Sequence, residues 1–196
     1  MTRGPAALVA WRSLTGLMLL AIGRKSGFAL FGTTPDAYLG SLAPFVALSL
    51  VVGGLDALGG HVALGLRVLL ISLISLIAPP VIAEVFCRVW RRTAEWPRYA
   101  NILNWGQLLM IMAIIVIATL AAAAAHFGVP QTAAVSGGLV VFMVYGIAFQ
   151  AFAAHGALKL TRWRTALLVC GTLLGTDLLI VAPLLVADPH TVALHP

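Results

Sequence analysis

Asp177 is the residue of this 196-residue chain that most invites a chemical reading. It is the one acidic side chain near the middle of a long apolar run, Thr165 to Ala187. A carboxylate kept in apolar surroundings is costly enough to suggest a purpose. Tyr145, Ser72 and Ser75 fall near the midpoints of their own apolar runs, so a phenol and two hydroxyls are expected at similar depth. Arg67 lies one or two helical turns from the end of its run and could reach toward the same carboxylate. A cluster of Asp177, Tyr145, Ser75, Ser72 and Arg67 could pass a proton or cation, with burial favouring the neutral carboxyl. It could also be a hydrogen-bonded packing contact between helices. A lone acid, without a relay of further acids or histidines, speaks for packing.

His61, His126, His190 and His195 fall on one side of the expected topology together with Asp56 and Asp188. Imidazoles with carboxylates suit zinc or copper, which makes a metal-handling protein one reading. The spacing argues against a metal site, because no HxxxH or HExxH pair sits on one helix. His155 reads as an interfacial side chain. Glu84 precedes Arg88 by four positions, the order that favours an ion pair on one helical face. No GxSxG, Walker A, HExxH or CxxC pattern occurs, and no span carries paired aspartates, so neither enzymatic chemistry nor a cofactor is expected.

The elements that must position these residues are membrane helices. The chain is 61% hydrophobic and 9% charged, with a mean hydropathy of +1.04, far from the roughly one-quarter charged content of soluble domains. A spanning helix needs about 20 apolar residues. Five runs qualify: Ala37 to Leu55, Val62 to Ala83, Ile102 to Ala125, Thr132 to Ala154 and Thr165 to Ala187. The expected fold is an all-α polytopic membrane protein. Residues 1–36 form an interfacial amphipathic segment, residues 37–187 a five-span bundle, and residues 188–196 a short outer tail.

Arg3, Arg12, Arg24 and Lys25 form one basic cluster; Arg88, Arg91, Arg92 and Arg98 a second; Lys159, Arg162 and Arg164 a third. With alternating spans all three fall on one side, and the positive-inside rule makes that side cytoplasmic. The expected location is a bacterial inner membrane, with the amino terminus cytoplasmic and the carboxyl terminus periplasmic. The same rule accounts for the net charge of +6, so no nucleic-acid partner is inferred. Trp11, Trp90, Trp96, Trp105 and Trp163 all fall at the inner boundary, where an indole buries its ring and keeps its N–H wet. Cys87 and Cys170 are expected as reduced thiols.

Gly4 to Ile22 is nearly long enough to span but carries Arg12 near its middle, at a cost of about 2.5–3.5 kcal/mol. A helix lying in the interface, with Leu14, Leu17, Met18, Ala21 and Ile22 toward lipid, keeps every basic residue on one side. Pro44 and Pro130 lie near span starts, whereas Pro79-Pro80 falls inside the second span and predicts a kink. Gly171 and Gly175 form a GxxxG that permits close helix approach. Asn101 and Asn104 are placed to cap the start of the third span.

Two stretches, Gly27 to Leu42 and Arg98-Tyr99-Ala100-Asn101-Ile102-Leu103-Asn104-Trp105, resemble a group of uncharacterised polytopic inner-membrane proteins of alphaproteobacteria. The five-helix plan with a cytoplasmic amino terminus is similar in architecture to the Yip family. The resemblance implies no catalytic residues. The leading expectation is a non-enzymatic interaction, scaffold or accessory subunit whose partners are the lipid bilayer and another membrane protein or a second copy of itself. The alternative is a small proton- or ion-coupled carrier built on Asp177, Tyr145 and the Pro79-Pro80 break.

Overall fold

The computed structural model describes the backbone of residues 5–187 and the side chains of residues 8–182. The expected outer tail, with Asp188, His190 and His195, lies outside the described residues. The elements are α1 (Pro5–Ala21), a 3-10 segment (Lys25–Leu30), α2 (Pro35–Leu58), α3 (Val62–Val89), α4 (Trp96–His126), α5 (Gln131–Leu158) and α6 (Arg162–Ala187). No strand occurs among the described residues. Helices α2 to α6 are each long and apolar enough to cross a bilayer, so the chain is an all-α membrane protein with five spanning helices and a shorter amino-terminal one.

Local chemistry explains where the helices begin and end. Thr34 caps α2 by accepting a hydrogen bond from the Ala37 amide at 3.3 Å, with Pro35 at the first helical position and Asp36 in the first turn. Hydropathy ends the second span at Ala83, yet α3 runs on to Val89. An apolar run stops at the first charge, whereas a helix stops only where its hydrogen-bond ladder does. Glu84 and Arg88 lie on the continuing backbone ladder and support it from the surface as an i,i+4 side-chain ion pair of 2.7 Å. Likewise α4 begins at Trp96, well before the apolar run. Asn101 and Asn104 are therefore buried inside α4 and do not cap it. Pro44 also lies well inside α2, not at its start, because the capping chemistry moves the helix start back to Pro35.

Helices α2, α3, α6, α5 and α4 pack as a ring in that order, and α3 also touches α4 across the middle. Small residues set the closest approaches. At the α2–α3 crossing, a Cβ added to Gly53 would stand 2.8 Å from the Gly65 carbonyl oxygen, while one on Gly54 would meet nothing within 4 Å. The expected GxxxG of α6 receives two α3 side chains. Phe86 would be 2.6 Å from a Cβ at Gly171, and Ile82 2.7 Å from one at Gly175.

The core is polarised along the bundle. Its members Ala83, Cys87, Tyr99, Ile102, Ala153, Leu158 and Leu168 all lie toward the end that carries the Arg88–Arg98 and Lys159–Arg164 clusters, here termed the basic end. Toward the other end α4 buries only Ala121, and α5 buries nothing before Phe149. The core takes in α1, which packs on the 3-10 segment and on α4 and α5. Leu17 and Leu20 are 0% and 1% exposed. Leu17, expected to face lipid, instead belongs to a bundle-facing stripe with Ser13, Gly16 and Leu20, spaced i, i+3, i+4, i+7. Met18 and Ile22 are exposed as expected. Helix α1 is apolar on both faces, and hydropathy alone does not reveal which one meets protein.

Gly53→Ala forces a Cβ onto backbone that cannot yield, so it should lower the melting temperature in detergent by several degrees. Gly54→Ala, one residue along the same helix, should leave it unchanged or raise it. Thermal denaturation of both variants checks the assigned crossing.

Candidate functional site

The polar chemistry of the bundle is concentrated where Pro79 and Pro80 interrupt the hydrogen-bond ladder of the continuous helix α3. Proline has no N–H, so the carbonyls of Ser75 and Leu76, four residues earlier, lose their ladder donors. In a bilayer such a carbonyl must find another partner. Gln107 Nε2 on α4 donates to the Ser75 carbonyl at 3.4 Å, and Trp96 Nε1 donates to the Pro80 carbonyl at 2.8 Å. Trp96 was expected to keep its N–H in water at the interface. It is instead a half-buried tie between α4 and α3, its ring tilted against Tyr38 at 5.1 Å.

A second tie sits one turn away. Asn104 Nδ2 donates to Ser41 Oγ at 2.8 Å, and Ser41 Oγ donates to the Tyr38 carbonyl at 2.6 Å, joining α4 to α2 through two buried side chains. Asn101, Asn104 and Gln107 recur every third residue and so project from one side of α4. Asn104 and Gln107 line a small cavity of about 30 Å³ with Pro79, Pro80 and Gln150. Asn104 Oδ1 and Gln150 Oε1 are buried without a partner among the described residues. A pocket of that size and polarity accommodates one water molecule.

The residues singled out from sequence do not come together there. Tyr145 donates its hydroxyl to the Ala21 carbonyl at 3.0 Å, so it ties α5 to the end of α1. Asp177 is exposed on α6 and has no hydrogen bond or ion pair among the described residues. Arg67 is exposed on α3 and likewise has no such partner. Ser72 and Ser75 share a groove of about 500 Å³ with Ser49, Phe45 and Gln107, bounded by α2, α3 and α4. Matching depth is not matching azimuth: helices of equal length can present residues of one depth in different directions.

His61, just before α3, and His126, the last residue of α4, are exposed at the end opposite the basic one. No group of three or more potential metal ligands forms among the described residues. Cys87 is buried, Cys170 is exposed, and both thiols are free. At the basic end Arg164 lies over the Trp90 ring, 5.8 Å from its centroid. Sequence reasoning missed Gln107 and Gln150 altogether. Asn101, Asn104 and Gln107 at three-residue intervals facing a Pro-Pro break were the available signal.

Arranged this way, the amides and carbonyls tie helices together. Compared with known proteins, the chain matches no family model, no curated protein and no solved structure.

Gln107→Leu should cost roughly 0.6–1.7 kcal/mol, the range measured for hydrogen bonds between membrane helices. In a Pro79→Ala background the amide restored at position 79 again serves the Ser75 carbonyl, and the cost should fall close to zero. A double-mutant cycle on thermal or denaturant unfolding in detergent reads this coupling directly.

Proposed function

We propose that the chain is a non-enzymatic subunit of a bacterial inner membrane that docks another membrane protein at its cytoplasmic face. In this reading the amino terminus is cytoplasmic, the basic end faces the cytoplasm, and the chain following α6 leads to the periplasm. The observation that carries it is the coincidence of the packed core with the cations. The end that holds Tyr99, Ile102, Ala154 and Leu158 at zero exposure also presents exposed Lys25, Arg88, Arg91, Arg162 and Arg164. A surface fixed on a packed core loses little conformational entropy on docking, which favours a defined partner with an acidic face.

The turns support the same reading. Arg91 and Lys159 occupy left-handed conformations, with φ of 58° and 51°, directly after α3 and α5, a place glycine usually takes. The corresponding turns at the opposite end use Gly60 and Gly128. At the basic end a cation beside the helix-terminal carbonyls offsets a conformation that costs on the order of 1 kcal/mol. The carrier reading has less support, because Asp177 stands on an exposed face of α6 away from the polar cavity at Pro79-Pro80.

Two measurements test the proposal. In a cysteine-free background, a membrane-impermeant maleimide added to intact spheroplasts should label His61→Cys and His126→Cys but not Thr93→Cys or Thr161→Cys; the reverse pattern would invert the topology. Affinity purification in mild detergent should yield a stoichiometric membrane partner that is lost when Arg91 and Arg162 are both changed to Gln. A chain that purifies alone, or a partner indifferent to those charges, would sink the docking assignment.

A further inference from the structure

A cavity of about 560 Å³ lies between α1, the 3-10 segment, α2 and α4. Its composition is specific. Arg12 of α1 and Asp36 of α2 both line it, and both are exposed. They make no ion pair with each other, and neither has a polar partner among the described residues. Opposite charges that share a cavity without neutralising each other suit a ligand that carries both signs.

Deeper in, Ser13 and Asn101 are 3% and 2% exposed and line the same cavity. Asn101 Oδ1 is buried without a hydrogen-bond partner, and Ser13 has none among the described residues. A buried amide left unpaired is costly unless something in the cavity meets it. Gly40 on the same wall adds an acceptor, because Pro44 removes the ladder donor of its carbonyl. The rest of the lining is apolar, with Phe31, Pro44 and Trp105 beneath the polar groups.

We infer that this cavity binds one membrane phospholipid with an ethanolamine headgroup. The Arg12 guanidinium takes the phosphate, and the Asp36 carboxylate and Gly40 carbonyl take the ammonium. Asn101 Oδ1 accepts the third ammonium hydrogen bond, Ser13 donates its hydroxyl to an ester carbonyl of the glycerol region, and the first acyl methylenes lie on Pro44 and Trp105. A lipid is the occupant, and not a soluble zwitterion, because the rim residues Gly40 and Pro44 are exposed on a spanning helix, so entry is from the bilayer. An ethanolamine ammonium donates hydrogen bonds and a choline does not, so acceptors on both sides of the ammonium select the former.

The test is native mass spectrometry of the full chain purified in detergent, with phosphatidylethanolamine, phosphatidylcholine and phosphatidylglycerol of identical acyl chains added in turn. The wild-type chain should retain phosphatidylethanolamine about tenfold more than phosphatidylcholine, as expected for one charge-assisted hydrogen bond. Asp36→Asn should abolish the preference for ethanolamine over glycerol headgroups. Arg12→Gln should weaken retention of both. Both side chains are exposed, so unchanged melting temperatures are expected and would exclude unfolding as the cause. Equal retention of ethanolamine and choline lipids by the wild-type chain would overturn the inference without recourse to any variant. So would a preference that survives both substitutions, and so would displacement of the lipid by millimolar O-phosphoethanolamine, which would reassign the cavity to a soluble ligand.

Discussion

A bilayer supplies no water to a stray backbone group, and α3 carries two prolines in succession inside its span. That constraint organises the middle of the molecule. The carbonyls released at Ser75 and Leu76 have to be approached from a neighbouring helix, which obliges α4 to run alongside α3 with a long amide at the right height. Gln107 is that amide for Ser75, and three turns nearer the basic end Trp96 makes a separate tie between the helices, to the carbonyl of Pro80. Once α4 is held there, Asn104 reaches Ser41 and draws α2 into register. One covalent peculiarity of proline thus sets the relative placement of three spans, and the apolar side chains fill in around it.

The second organising fact is the uneven distribution of packing. Lipid tails are as apolar as leucine, so no hydrophobic force draws two spanning helices together over their whole length. Association occurs where polar ties, close backbone approaches or aromatic insertions provide it, and in this bundle most of these lie toward the basic end. There Phe28 sits against Gly156 and stacks obliquely on Phe152 at 5.5 Å, and Arg164 covers Trp90. Toward the opposite end the helices are joined mainly by the glycine crossing of α2 and α3 and by Ile117 of α4 seated on Gly138 of α5.

The spans were readable because length and hydropathy answer one question, whether a segment can cross apolar medium, and α2 to α6 answer it clearly. The helix ends were not readable from hydropathy, since α3 and α4 extend past the apolar band as charged or aromatic helix, held by Glu84–Arg88 and by Trp96. Burial within α1 was missed for a related reason. Leu14, Leu17, Met18 and Ile22 are equally apolar, and only the neighbouring chain decides that Leu17 is the covered one. The polar cluster imagined around Asp177 assumed that equal depth implies proximity. Tyr145 turned toward Ala21 and the serines toward α2 and α4, directions that depend on how each helix is rotated about its axis. The Asn101, Asn104, Gln107 series lay in plain view, yet amides at helix starts are usually caps, and the true start of α4 was displaced by Trp96-Pro97.

The arrangement of the core also bears on the order in which the molecule can be made. Leu17, Leu20, Phe28 and Phe31, from the first part of the chain, complete their burial against Phe149, Ala153, Leu158 and Leu168, from the last part. The bond from Tyr145 to Ala21 closes over 124 positions. At ordinary rates of translation the partner of the first segment emerges on the order of ten seconds after it. During that interval α2, α3 and α4 can insert and pair, while the segment before them waits, apolar on both faces, at the membrane surface or on the insertion machinery. The core closes when α5 and α6 dock onto the earlier-made α1 and 3-10 segment, and a nascent chain stalled before α5 carries three membrane helices but lacks most of the partners that close its core.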